Sequence, residues 1–373
     1  ACKGMVLRQE SYELDVDALH TDDSKDVPVR IYSAATHNCQ IQRLQPRGDN
    51  KHAVFLVTES EAITYTYELD LHHATSNPDP RIAHTLNLSF DGYGRALQSV
   101  AVVYPRLVPH TDPSNTLEAE QLALIHKVQI ERHIAYTETH FTNELPDDPD
   151  RHRLPVPCEV LTYELTGAND FVPSSGLYFT INDFKSFNLT KDLPGQGIKP
   201  VTKLDYQQQP ANKKAHMRII DWVRILYFKD DLSGPLDFGL PSRLGLTYET
   251  YKLALTEVLL TDVLNEKFDA SVRATLNKAS TLIWPQAEAG FLVSGYQTDS
   301  ELFHTNASAR QWWMRSGVAG FADDAADHFY LPEEYTDPFG NKTTLVYDKD
   351  YDLFIQFSTD ALGNTSGVAN DPA

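Results

Sequence analysis

The chain has 373 residues, with 52 acidic against 32 basic side chains and a formal charge of −20. That balance excludes nucleic acid and anionic lipid as electrostatic partners, since both call for Lys and Arg; its plainest reading is solubility. Hydrophobic residues at 41% and aromatics at 10% are enough to build a core, which argues against disorder, and no eighteen-residue apolar run is available to span a membrane as a helix.

Residues 1–110 read as strands. In "AITYTYELDL", Tyr65, Tyr67 and Leu69 alternate with Thr64, Thr66 and Glu68, the period of a half-buried antiparallel strand. "AHTLNLSFDGYGRALQSVAVVYPR" reads as two strands about a turn at Asp91–Gly94, where Asp starts the turn and Gly takes the positive φ. Residues 111–215 mix strand and loop. "SNTLEAEQLALIHKVQIERHIAYTETHF" predicts a capped short helix and then a strand, "CEVLTYELTG" another strand, and 177–190 a short helix with Asp183 and Lys185 on its polar side. Residues 216–334 predict strands with a helical insertion near 247–279. "MRIIDWVRILYF" is an apolar strand or strand pair. Tyr248, Tyr251, Leu255, Val258, Leu259 and Val263 fall on one face of a 3.6-residue period, and a second helix is expected over 270–279. "GFLVSGYQTD" and "ARQWWMRSGVAGF" read as strands joined by turns. Residues 335–373 begin a repeat. The expected class is mainly β with minor helix (α+β), built of antiparallel hairpins.

The search for chemistry is negative. Cys2, Cys39 and Cys158 are far apart and odd in number, so they suggest neither a disulfide framework nor a Cys-x-x-Cys metal pair, and folding in a reducing cytosol is expected. His72 and His73 adjoin, and His126, His133 and His140 recur every seven residues, without the i, i+4 spacing of a zinc helix. Asp147, Asp148 and Asp150, and Asp323, Asp324 and Asp327, are loop neighbours rather than carboxylates facing each other across a sugar. Trp312 and Trp313 favour strand packing over a carbohydrate platform. No nucleophile elbow, phosphate loop or dinucleotide motif is present. Five glycosylation sequons, at Asn87, Asn188, Asn306, Asn341 and Asn364, are better explained in the repeat by turn chemistry. No catalytic residue, cofactor or metal is assigned, and no enzymatic activity is expected.

The positive signal is repetition. "DPFGNKTTLVYD" places Asp337, Gly340 and Asn341 before Tyr347 and Asp348, and Asp360, Gly363 and Asn364 restart the phrase 23 residues on. Thr343, Leu345 and Tyr347 share one strand face, and Lys342, Thr344 and Val346 the other. Leu353, Ile355 and Phe357 begin the return strand. Hairpins of this kind cannot bury a face alone and must stack.

This phrase resembles the tyrosine–aspartate (YD) or Rhs repeat. "QRLQPRGDNKHAVF" (42–55), "DPRIAHTLNLSFDGYGRALQSVAVVYPR" (79–106), "YTETHFTNE" (136–144), "PCEVLTYELTG" (157–167), "GLPSRLGLTYETYKLALT" (239–256) and "HFYLPEEYTDPFGNKTTLVYD" (328–348) resemble the middle and C-terminal central region of the B component of insecticidal toxin complexes. That resemblance implies a wall segment of a hollow Rhs-repeat cocoon enclosing a cytotoxic polypeptide. It implies a C component (Rhs core and enclosed toxin) as partner, and a pore-forming A component reached through a propeller not found in this chain. It further implies synthesis in the cytoplasm and later secretion. No signal peptide or initiator Met opens the sequence and it closes inside a repeat phrase, so it reads as part of a longer chain. Two other readings stay open: an Rhs/teneurin-type adhesion module binding carbohydrate or a cell surface, and a glycan hydrolase using loop carboxylates.

Overall fold

The computed structural model describes residues 2, 4–14, 29–67, 79–110, 116–145, 153–167, 169–174, 176–189, 199–211, 214–277, 296–298, 311–349 and 351–368. Antiparallel sheet dominates, with minor helix. The chain divides into two compact units. One holds Ala1–Glu138, Thr162–Leu204 and Gln208–Ile220; the other holds Thr139–Leu161, Asp205–Gln207 and Asp221–Ala373.

The first unit is built on β1 (Arg8–Leu14), β2 (Val29–Gln45), β3 (Val54–Thr66), β4 (Arg81–Phe90) and β5 (Ala96–Val103). After α1 (Ala119–Gln129) come β6 (His133–Phe141) and β7 (Pro157–Thr166), then α2 (Ile181–Lys185), β8 (Thr202–Leu204) and β9 (His216–Tyr227). The hydrogen-bonded order is β1-β2-β3-β4-β5-β6-β7-β9, with β8 parallel to β9. β6, β7 and β9 contribute residues to each unit.

Alternation sets the core. Ile82, His84, Leu86 and Leu88 of β4 are buried, as are Gln98, Val100 and Val102 of β5. The aromatic segment 171–189 covers this face through Phe171, Phe179, Phe184 and Phe187. At the end of β3 and just beyond it, Tyr65 and Tyr67 are half-buried and Thr64 and Thr66 exposed, as the period of two predicts. Leu69 lies outside the described residues. Asp183 departs from expectation. It is buried rather than on a polar face, because its carboxylate accepts from Thr180 N–H (2.7 Å) and Ser174 N–H (3.1 Å), closing a capping box at the start of α2.

In the second unit β9 continues to β10 (Thr247–Thr256), and β12 (Gln311–Arg315) lies between β10 and β11 (Tyr296–Thr298). The helix expected from 247 begins only at residue 257: α3 covers Glu257–Leu264 and α4 Ala270–Asn277. The stretch 247–256 is strand, with Glu249, Tyr251 and Leu253 buried on one face. Short apolar runs fit either period, and pairing with β9 and β12 decides this one. Thr256 marks the switch, accepting Leu259 N–H as an N-cap. Trp312 and Trp313 are both fully buried: Trp313 packs on Trp222, and Trp312 on Phe268 beside α3. They are strand-packing residues, not a surface platform.

A separate meander, β13 (Val318–Gly320), β14 (Glu334–Thr336), β15 (Lys342–Tyr347), β16 (Ile355–Thr359) and β17 (Thr365–Gly367), forms a five-stranded antiparallel sheet in chain order. Thr343, Leu345 and Tyr347 are half-buried, while Lys342, Thr344 and Val346 are exposed. The ring of Phe357 lies over its cross-strand partner Gly367, where a Cβ would approach to 2.9 Å.

Candidate functional site: the repeat turns and their carboxylates

Three five-residue segments share one geometry. Asp337 N–H donates to Asn341 C=O (2.9 Å), and Gly340 N–H to Asp337 C=O (3.0 Å). One carboxylate oxygen of Asp337 accepts from Phe339 N–H and Asn341 N–H, both at 2.8 Å; the other accepts from the Asn341 side-chain amide at 2.8 Å. The set recurs around Asp360, with Leu362 N–H at 2.9 Å and both Asn364 donors at 2.8 Å. Around Asp91 it recurs with Tyr93 N–H and Arg95 N–H at 2.9 Å, and Arg95 Nε replaces the Asn amide at 2.7 Å. Gly94, Gly340 and Gly363 have φ of 84°, 84° and 83°, the left-handed region that glycine enters without a Cβ penalty. Each turn thus holds most of its backbone donors within itself.

These bonds move the carboxyls. Partial burial pushes Asp337 up, and donors from Asn341, Phe339 and Gly340 outweigh it, leaving it below the ordinary carboxylate value. Asp91 behaves likewise, burial being overcome by Arg95 and Tyr93. Asp360 is lowered chiefly by Asn364.

Tyr347 and Asp348 close the opposite end of the hairpin. Asp348 accepts from Tyr351 N–H, Leu353 N–H and Phe354 N–H, each at 2.8 Å, and its own N–H donates to Phe354 C=O (2.9 Å). Tyr347 O–H donates to Pro332 C=O at 2.9 Å. Asp337 and Asp348 therefore serve different turns at the two ends of β15. Asn341 and Asn364 spend their side-chain amides on the turn, and Asn87 donates its own to Glu59 C=O (2.7 Å).

Other residues singled out in the sequence are not gathered. His126 bonds His110 C=O (2.7 Å) and His140 lies 3.4 Å from Glu159, while His133 is exposed. Asp324 is 3.5 Å from His328. Among the described residues no group of three His, Cys, Asp or Glu is placed to hold a metal ion. His72, His73, Asp147, Asp148, Asp150 and Asn306 lie outside the described residues.

Two buried polar clusters gave no sequence signal, because their members are remote in the chain. Arg224 pairs with Glu159 at 2.7 Å, Trp222 Nε1–H donates to the same oxygen at 2.8 Å, and the guanidinium lies over Trp222, Trp313 and Phe238 at 4.6–5.1 Å. His84 bridges Tyr104 and Glu61, 2.9 Å from each. The Tyr104 hydroxyl accepts Phe179 N–H (2.8 Å), so it is free to donate to the ring of a neutral His84. Burial pulls His84 below the ordinary histidine value, against the opposing pull of Glu61. These are internal braces, not open clefts.

Residues 1–154 match the family model described as the insecticide toxin TcdB middle/C-terminal region. No curated protein matches the chain. Among solved structures, the Photorhabdus luminescens Tc holotoxin pore, with a mutated TccC3, is 22% identical over 99% of this chain, with a TM-score of 0.58. The crystal structure of TcdB2–TccC3–Cdc42 gives 19%, 99% and 0.59, and that of TcdB2–TccC3–TEV gives 20%, 94% and 0.53. This chain spans only 14–16% of those chains. Over residues 1–154 the chain therefore resembles the middle/C-terminal region of the insecticidal toxin-complex B component, and over nearly its whole length it shares the fold of toxin-complex structures.

Proposed function

We propose that this chain is a structural wall segment of a toxin-complex B component, helping to form a hollow Rhs-repeat shell that encloses and delivers a cytotoxic polypeptide. The observation that carries the reading is the self-closed turn. Because Asp337 and Asp360 each satisfy their turn locally, hairpins can be added in series without help from outside the sheet. A series of this kind builds a wall. The partner class is a C component supplying further repeats and the enclosed polypeptide, by analogy with the TccC3-containing structures. Contact with a pore-forming A component falls to parts of the B component other than this segment. The segment turns over no substrate of its own, and its setting is a secreted complex.

The test is reconstitution. A B chain containing this segment is co-expressed with a C component, and the enclosed polypeptide is challenged with protease. Protection is expected in the intact complex, and loss of protection when residues 337–359 are deleted. A polypeptide equally resistant without the deleted hairpin would defeat the wall reading. Selective glycan binding by the isolated chain would favour the adhesion reading instead.

A further inference from the structure

Cys2 and Cys39 are 37 residues apart in sequence, yet their Sγ atoms lie 3.4 Å from one another. Three local features bring them there. The β1–β2 register pairs Arg8 with Thr36, and His37 N–H extends it by donating to Leu7 C=O at 2.8 Å. Met5 N–H then donates to Cys2 C=O at 3.1 Å, and Gly4 between them takes a φ of 87°. This i to i+3 bond closes a tight turn that brings Cys2 back toward β2. Across from it, the β2–β3 register slips between Asn38 and Cys39, and Cys39 N–H bonds the Asn38 side-chain oxygen at 2.9 Å. The extra residue is Ser60 of β3, a bulge that disrupts the local ladder opposite Cys39. Both cysteines are half-buried, so solution reagents reach them. Cys158 is different: it is buried, donates to His140 C=O at 3.5 Å, and burial pushes its thiol up to about 11.

We propose that Cys2 and Cys39 form an intramolecular disulfide when the protein leaves a reducing compartment and meets a disulfide oxidant. The sulfurs stand about 1.4 Å beyond bonding distance, a gap that side-chain rotation covers. The thiolate of one cysteine attacks glutathione disulfide, forming a mixed disulfide and releasing one glutathione thiol. The second thiolate attacks the protein sulfur of that mixed disulfide and expels the other glutathione thiol. Two protein thiols lose two electrons and two protons, and one glutathione disulfide becomes two thiols. Cys39 is held above the ordinary thiol value by its hydrogen bond with Cys2, so closure accelerates as pH rises. The bond would tie the segment ahead of β1 to β2.

The test uses the full chain, reduced and then exposed to glutathione disulfide, with residual thiols alkylated under denaturing conditions and peptides read by mass spectrometry. Three alkylatable cysteines are expected to fall to one, Cys158, with Cys2 and Cys39 recovered as a linked pair lighter by two hydrogens. Cys2→Ser is expected to leave Cys39 as a persistent glutathione adduct. Closure is expected to be faster in the folded chain than in urea, and oxidation to slow hydrogen exchange of β1. Three surviving thiols, stable glutathione adducts on the wild-type pair, or links between two chains would each overturn the proposal.

Discussion

Asp337, Asp360 and Asp91 show what a single carboxylate can organise: each accepts three hydrogen bonds within a five-residue loop. The folded turn depresses each carboxyl below its unfolded value, near about 3.9. Its contribution to stability is therefore full above that value and is lost as pH falls through the folded pKa. The amide resonances of Asn341 and Asn364 should hold their positions from neutral pH to about 5 and shift together below about 4. A common transition well above pH 5 would contradict the assignment. The other residue-scale test concerns Arg224 and Glu159, each more than nine-tenths buried. Arg224→Ala strands the carboxylate beside Trp222 and should cost about 3–5 kcal/mol, whereas the apolar pair Arg224→Met with Glu159→Leu should be close to neutral. Urea unfolding of the single and double variants measures the difference.

At the scale of elements, legibility followed locality. The Asp-x-x-Gly turns and the alternation of 62–67 and 342–347 were readable because each is decided by neighbours within a few residues. The stretch 247–256 misled because Tyr248, Tyr251 and Leu255 satisfy a helical spacing, while the pairing that makes it a strand comes from residues 223–227 and 311–315. The Arg224–Glu159 brace was invisible for the same reason, and so was the approach of Cys2 to Cys39. Equivalent turns also differ in what surrounds them. At Gly363 a Cβ meets nothing within 4 Å, but at Gly94 it meets Thr58 at 3.0 Å and Leu56 at 3.1 Å. Gly363→Ala should cost only the left-handed backbone strain, about 1–2 kcal/mol. Gly94→Ala should exceed it by about 1 kcal/mol or more, since β3 side chains must also move. Thermal unfolding of the two variants gives the comparison, and equal losses would show that the neighbours yield freely.

At the scale of the whole chain, charge and edges oppose each other. β17 is exposed along its length, and Val346, Ile355, Phe357, Leu362 and Val368 present apolar surface in or beside the repeat sheet. Open edges of this kind recruit further strands. The net charge of −20 resists association until salt screens it beyond about 8 Å at physiological ionic strength. The isolated chain should therefore associate increasingly as salt rises, as followed by light scattering; a monodisperse monomer at high salt would show that the edges are covered. The self-contained turn has one more consequence. From Asp337 to Asp360 the chain completes one hairpin, two strands that restore its original heading. Duplicating those 23 residues in the gene would shift everything downstream by two strand spacings, about 10 Å, without reversing its direction or swapping its faces. Tandem duplication then lengthens the sheet in fixed steps, each new unit arriving with its own corners already closed.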